Sequence, residues 1–141
     1  MTSSHYNVEI VRAGLEAFNS GDTDACVDLL APDFVMNLAE LPDPLHGAEV
    51  WRRGFEMMKG GFPDLRAEIE DIFGAGDRVA VRLRLRGTHA GEFQGLPATG
   101  RQVEYVSHEF YRLTDGLISE EWICSDFTTL MRQLAPSSDD G

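Results

Sequence analysis

The hydrophobic pattern of this chain changes period once, at about Leu65, from near 3.6 residues to 2, so helices come first and strands follow. Ahead of the switch, Val8, Val11, Leu15 and Phe18 fall on one helical face, and Asn19-Ser20-Gly21 ends that helix. Asp22 is placed to cap a short second helix through Leu29 and Leu30, which Pro32 breaks before a short strand at Phe34-Val35-Met36. A third helix runs from Gly47 to Lys59, carries Val50, Trp51, Phe55 and Met58, and stops at Gly60-Gly61. Beyond the switch, Val79, Val81, Leu83 and Leu85 alternate with Arg82, Arg84 and Arg86, which predicts a strand with one apolar and one cationic face. Gly76-Asp77 makes Leu65 to Ala75 its hairpin partner, and Thr114-Asp115-Gly116 joins Val103 to Leu113 with Leu117 to Asp126. Helices followed by an antiparallel meander predict an α+β fold, with three N-terminal helices covering one face of a curved antiparallel sheet.

The 141 residues, 43% hydrophobic and 26% charged, suffice for one core and leave little room for a second. Residues 1–134 are read as one domain, and 135–141, with Pro136-Ser137-Ser138-Asp139-Asp140-Gly141, as a polar disordered tail. A formal charge of −12 and a pI near 4.6 repel phosphate backbones and anionic bilayers, which argues against nucleic-acid and membrane partners. No stretch approaches the roughly 18 apolar residues of a membrane span. Met1-Thr2-Ser3-Ser4-His5 has no basic patch leading into an apolar run, so a cytoplasmic location is expected. Cys26 and Cys124 lie far apart without a CxxC pattern and read as buried free thiols. The four histidines show no HxH or HExxH spacing, so no metal site is expected.

The run Gly87-Thr88-His89-Ala90-Gly91-Glu92-Phe93-Gln94-Gly95-Leu96-Pro97-Ala98-Thr99-Gly100, the Asp115-Gly116 turn, and Glu120-Glu121-Trp122 with Asp126 four residues past the Trp together resemble the SnoaL-like polyketide cyclases. Ala17-Phe18-Asn19-Ser20-Gly21-Asp22 and His46-Gly47 before a helix extend the likeness over about Val8 to Leu134. The resemblance implies the cone-shaped α+β fold shared with ketosteroid isomerase and nuclear transport factor 2, in which three helices close a curved sheet around a pocket. It also implies a homodimer through the sheet, where Arg82, Arg84 and Arg86 would meet acidic residues of a second subunit. That fold hosts many reactions and some non-catalytic binders, so the fold alone assigns none.

Asp126 ends the last strand with the parity of Ile118, Trp122 and Cys124, a largely apolar face on which Glu120 is the exception. Desolvation by such neighbours raises a carboxylate's basicity, as removal of a proton next to a carbonyl requires. The resemblance implies that cofactor-free cyclases use an Asp here in that way. The alternative is a cap on a helix over Phe127 to Leu134. What faces Asp126 depends on the hairpin register. A type I turn with Gly116 as bulge residue pairs Leu113 with Leu117 and sets His108 opposite Trp122, joined by Glu104, Val106, Phe110 and Arg112. This register is favoured because Gly suits the fourth turn position and Thr-Asp a type I centre. A two-residue Asp-Gly turn instead pairs Thr114 with Leu117 and brings in Tyr105, Ser107, Glu109 and Tyr111; should Asp126 not be the base, His108 or a carboxylate of this register such as Glu109 is the next candidate.

His108 is the second catalytic candidate, able to polarise a carbonyl or shuttle a proton. Trp122, Trp51, Phe55, Met58, Phe62 and Met36 would give a flat, adaptable wall for a hydrophobic polycyclic substrate, with His89 and Arg112 completing the binding set. His46 reads as a surface or capping residue. The function expected is ring closure of an aromatic polyketide by intramolecular aldol condensation, without a cofactor. An epoxide hydrolase of this fold needs Arg and Asp two residues apart, and no Arg-x-Asp occurs. A ketosteroid-type isomerase needs a buried Tyr and a protonated carboxylic acid beside the base, which Tyr105 or Tyr111 would serve in the second register. A non-catalytic binder stays open, since Phe18 stands where some cyclases carry a pocket Tyr.

Overall fold

The computed structural model describes residues 3–135, so of the expected tail only Ala135 falls within the described residues. The elements run α1 (Ser3–Ser20), α2 (Thr23–Val27), β1 (Leu30–Leu38), β2 (Leu45–His46), α3 (Ala48–Gly61), β3 (Arg66–Ala75), β4 (Arg78–Thr88), β5 (Gln102–Thr114), β6 (Leu117–Ser125) and α4 (Phe127–Leu134). The six strands form one curved, unclosed sheet in the order β2-β1-β6-β5-β4-β3. The strands from β3 to β6 make the expected antiparallel meander, while β1 joins β6 in parallel. No helix among the described residues is long and apolar enough to cross a membrane.

Helices cover one face because alternate residues of every long strand are apolar there. Val79, Val81, Leu83 and Leu85 of β4 are buried, as are Val103, Tyr105, Tyr111 and Leu113 of β5. Ile10, Val11 and Leu15 of α1 and Leu130 and Leu134 of α4 meet them. Burial of such side chains stabilises the fold by about 1.5–3 kcal/mol each. The last turn of α1 is fixed to β3 by Asn19, whose amide donates to Ala67 O at 2.9 Å while its Oδ1 accepts from Ala67 N at 2.7 Å. That side chain satisfies both backbone groups of a residue on the outermost strand.

The second helix is shorter than the sequence pattern suggests. Asp22 caps it, its Oδ1 accepting from Ala25 N at 3.1 Å, but it ends at Val27 and Pro32 lies inside β1 rather than at a helix end. Proline supplies no ladder hydrogen, and the pairing of β1 with β6 shifts register between Leu30 and Val35, where it sits.

The β5–β6 hairpin corrects the favoured register. Thr114 pairs with Leu117 across a two-residue turn in which Asp115 and Gly116 both have positive φ, 52° and 79°, as a type I′ hairpin turn requires. The extra residue lies further along, in β6. Arg112 faces Glu120 and Leu113 faces Ile118, so Ser119 is an unpaired bulge, held by its hydroxyl donating to Arg112 O at 3.1 Å. The bulge reverses the alternation of β6. Ile118 points inward, and beyond Ser119 it is Glu121, Ile123 and Ser125 that share the inner side with Tyr111, Glu109 and Ser107.

On the outer side of the sheet, the arginines of β4 pair with acids of their own chain. Arg84 Nε lies 2.8 Å from Glu70 and Arg86 NH1 2.7 Å from Glu68, and Glu104 is shared at 3.3 Å and 3.2 Å.

Candidate active site

A cavity of about 790 Å³ opens between the sheet and the helices. Met36, Trp51, Phe55 and Met58, all expected from the sequence, line it. Trp51 and Phe55 stack at 5.4 Å and 27°, and Phe18 meets the edge of Phe55 at 5.5 Å. Lys59 Nζ stands 4.7 Å from the centre of the Phe18 ring and donates to Leu65 O at 2.6 Å. Burial, above all, lowers the pKa of this ammonium. The wall is thus a slab of rings and thioethers fastened by one cation.

The cavity's polar groups come from one patch of β5 and β6. Glu109 is 9% exposed and Glu121 4%, so two carboxyl groups lie side by side out of water. Tyr111 Oη donates to Glu109 Oε1 at 2.6 Å, and Ser107 Oγ donates to Glu109 Oε2 at 2.8 Å. Ser107 Oγ is also 2.8 Å from Ser125 Oγ. Burial raises both carboxyls above the usual range. The hydroxyls of Tyr111 and Ser107 partly counter it at Glu109, whereas the neighbouring Glu109 charge adds to it at Glu121. Burial and the two carboxylates push Tyr111 well up, and burial followed by Glu109 does the same to Tyr105. Two neighbouring buried carboxyls ionise less readily than one, because each charge disfavours the other.

The other expected site residues lie elsewhere. Asp126 caps α4, with Oδ1 accepting from Thr129 N at 3.1 Å and Oδ2 from Thr129 Oγ1 at 2.6 Å. Those bonds hold its pKa below the ordinary carboxylate value. It lines a separate cleft of about 270 Å³ with Glu40, Ser125 and Phe127 rather than the large cavity. His108 pairs with Cys124 on the outer side of the sheet, and both are exposed, so only Cys26 is the buried thiol expected of each cysteine. Cys26 lines the cavity, and burial, then Asp22 and Glu121, push its thiol up to about 11. Trp122 is on the outer side too, between the guanidiniums of Arg78 at 5.4 Å and Arg112 at 5.6 Å, and Arg112 pairs with Glu120 at 3.2 Å. Phe62 and His89 pack against each other at 5.5 Å behind the wall. His89 Nδ1 accepts from Thr99 N at 3.3 Å, which fixes the turn of the β4–β5 loop.

That loop is fastened to the end of α3. Ala90 N and Gly91 N both donate to Gly61 O at 3.1 Å, and a Cβ on Gly91 would overlap the Gly60 carbonyl, so only glycine permits the approach. Phe93 and Gln94 of the loop then line the cavity, and Gln94 Nε2 reaches Met57 Sδ at 3.4 Å. Glu40 and Leu41, the latter 45% exposed, line the cavity as well.

Sequence reasoning in its favoured register missed both Glu121 and Glu109, the latter entering only as a fallback of the alternative register. The signal available was the odd spacing of Ile118 and Ile123, which can share an inner face only if an extra residue intervenes.

The helix-covered open sheet, the apolar cavity and an acid–base floor define a small α+β enzyme of the cyclase and isomerase type. Residues 8–134 match the family model of the SnoaL-like polyketide cyclases, and the chain belongs to that family. It is 30% identical over 130 residues to the aklanonic acid methyl ester cyclase DauD of Streptomyces sp. (strain C5), spanning 90% of this chain and 80% of that one. Among solved structures, a SnoaL-like protein from Jannaschia sp. CCS1 superposes with a TM-score of 0.89 at 26% identity, covering 97% of each chain. IdmH from Streptomyces antibioticus does so with a TM-score of 0.80 at 38% identity, covering 91% of this chain and 97% of that one.

Proposed function

We propose that this chain closes a ring of an aromatic polyketide by intramolecular aldol condensation, with Glu109 and Glu121 as the acid–base pair. The observation that carries this reading is the buried pair at the floor of an apolar cavity, with Tyr111 bonded to Glu109 and opposite Glu121 in the register. Glu109 takes a proton from the carbon next to a carbonyl. The resulting enolate carbon bonds to a second carbonyl carbon of the same molecule, and the alkoxide formed there takes a proton from Glu121. One proton is removed and one returned, and transfer from Glu109 to Glu121 resets the pair. The slab of Trp51, Phe55, Met36 and Met58 suits a flat polycyclic substrate held for that attack.

The test uses aklanonic acid methyl ester, the substrate named for the DauD relative. Cyclisation should fall roughly 10²- to 10⁴-fold in Glu109→Gln and in Glu121→Gln. Wild-type rates in both variants would reject the pair. A second reading, double-bond isomerisation of a 3-oxo steroid, is favoured by the same floor, since a Tyr and a second carboxyl of raised pKa stand beside Glu109. Turnover of a 3-oxo-Δ5 steroid with none of the polyketide ester would favour it.

The reading extends to assembly as a homodimer through the outer side of the sheet. Phe73, Ala80, Phe110 and Trp122 follow one another in register across β3, β4, β5 and β6, and Phe73 and Phe110 are 61% and 55% exposed. Such a stripe is most readily covered by its own copy about a two-fold axis.

A further inference from the structure

The two carboxyls of the floor are not equivalently solvated. Both oxygens of Glu109 accept from neutral hydroxyls, Tyr111 Oη at 2.6 Å and Ser107 Oγ at 2.8 Å. Ser107 has a single hydroxyl hydrogen, spent on Glu109, so across the 2.8 Å contact with Ser125 it is Ser125 that donates. The hydrogen bonds therefore run in one direction, Ser125 to Ser107 to Glu109. Ser107 is 1% exposed and has no route to water of its own, while Ser125 is partly exposed and lines both the cavity and the cleft beside Asp126. Glu121 reaches Tyr111 and Glu109. Glu121 stands opposite Tyr111 in the register, and the Ser125–Ser107 chain ends on Glu109 rather than on it.

We propose that the Ser125–Ser107 hydroxyl chain positions Glu109 and sets the division of labour within the pair, holding Glu109 as the carboxylate that takes the proton and leaving Glu121 as the carboxylic acid that returns it. The inference rests on the cyclase reading of the floor and adds to it two positioning residues that do not react. The other groups that face the pair are few. Tyr105 and Tyr111 come from β5 and Cys26 from α2. α1, β1 and α4 present apolar side chains such as Val11, Met36, Phe127 and Met131. The charged lining residues Glu40 and Arg53 are exposed to solvent. Tyr111 reaches both carboxyls, so what distinguishes Glu109 is the Ser107 hydroxyl and the Ser125 hydroxyl behind it.

The experiment is a pH titration of the whole protein carrying ¹³C-glutamate, following the side-chain carboxyl carbons, with Glu109→Gln and Glu121→Gln used for assignment. Glu109 is expected to ionise first. Ser107→Ala should move its ionisation up by about one pH unit, the size of a lost hydrogen bond to a charged group. Ser107→Thr should restore the wild-type curve, and Ser125→Ala should move it in the same direction by less. The acidic limb of kcat/KM for aklanonic acid methyl ester should follow the same order. Ionisation of Glu121 ahead of Glu109, or unchanged carboxyl curves in a Ser107→Ala variant with wild-type circular dichroism, would overturn the proposal. Should Ser107→Ala not fold, Ser125→Ala decides alone, since its hydroxyl is at the open end, and an unchanged curve there counts against the chain. Loss of cyclisation in Glu109→Gln with no titration shift in the serine variants sinks this inference and keeps the cyclase reading. A shift in the serine variants with wild-type cyclisation by Glu109→Gln does the reverse.

Discussion

Tyr111 Oη stands 2.6 Å from Glu109 Oε1, two residues away on the same strand, where the side-chain period of 2 brings both onto the inner side of the sheet. The phenol is held protonated by its surroundings, because burial and the nearby carboxylates raise its pKa well above the ordinary value. It is therefore a permanent donor to the base. Tyr111→Phe removes that donor and leaves a buried carboxylate oxygen unpaired. Turnover of aklanonic acid methyl ester should fall roughly ten- to a hundredfold, and the pH at which activity appears should rise. A variant with the wild-type pH profile would show that the phenol does not act on Glu109.

Asp126 and the floor make opposite predictions. Its carboxylate is spent on two bonds to Thr129, and its pKa is lowered by them. A depressed carboxyl contributes stability above its unfolded pKa that is lost as pH falls through the folded value. Asp126→Asn keeps the cap, Asp126→Ala does not. Thermal melts should show Asn near wild type and Ala lower by a few degrees, and both variants should cyclise substrate at close to the wild-type rate. Loss of turnover in Asp126→Asn with an unchanged melt would return the base to Asp126.

The acid pair has the opposite sign. Glu109 and Glu121 are raised by burial, so between the unfolded value of about 4.3 and the folded values the native chain binds more protons than the unfolded one. Their contribution is fully present below that unfolded value and is lost as pH rises through the folded ones. Glu121→Gln, neutral at every pH, should flatten the fall in melting temperature on the alkaline side. A wild-type slope in that variant would mean that Glu121 is charged in the folded protein at neutral pH.

The outer stripe gives a prediction about mass. Phe110→Glu puts a charge into the row of Phe73, Ala80 and Trp122, and sedimentation should show a dimer in the wild type and a monomer in the variant. A monomeric wild type at micromolar concentration would end the assembly reading. Arg84→Glu is a poorer probe, because Arg84 is already bonded to Glu70 and Glu104 within its own chain.

Much of the fold was legible because periodicity reports burial directly. Val79 to Leu85 alternate as they must when one side meets the core, and Val11 and Leu15 mark the inner side of α1. The wall was legible for the same reason, since Trp51, Phe55 and Met58 recur at helical spacing and face inward. The floor was not. Its membership depends on how β5 and β6 align, and two local features, a turn with Asp115 at φ 52° and a bulge at Ser119, together decide it. The sequence favours a bulge at Gly116, where turn chemistry announces one, whereas the extra residue is Ser119, which carries no turn signal, so Trp122 and Asp126 are expected on the side that Glu121 occupies. Helix α2 ended early because Pro32 is tolerated in β1 at a register shift, a tertiary arrangement that local sequence does not announce.

The stitching of the β4–β5 loop to α3 joins two parts of the cavity wall. Gly61 O holds Ala90 N and Gly91 N, and Gln94 reaches Met57, so the loop is fastened to α3 through both backbone and side chain. The segment carrying Glu40 and Leu41 is tethered by Ala39 N to Ile123 O and Leu41 N to Leu38 O before β2 begins. The helix that carries the aromatic slab of Trp51 and Phe55 is thus also the one to which the β4–β5 loop is fastened, so the wall and that loop keep one relative placement.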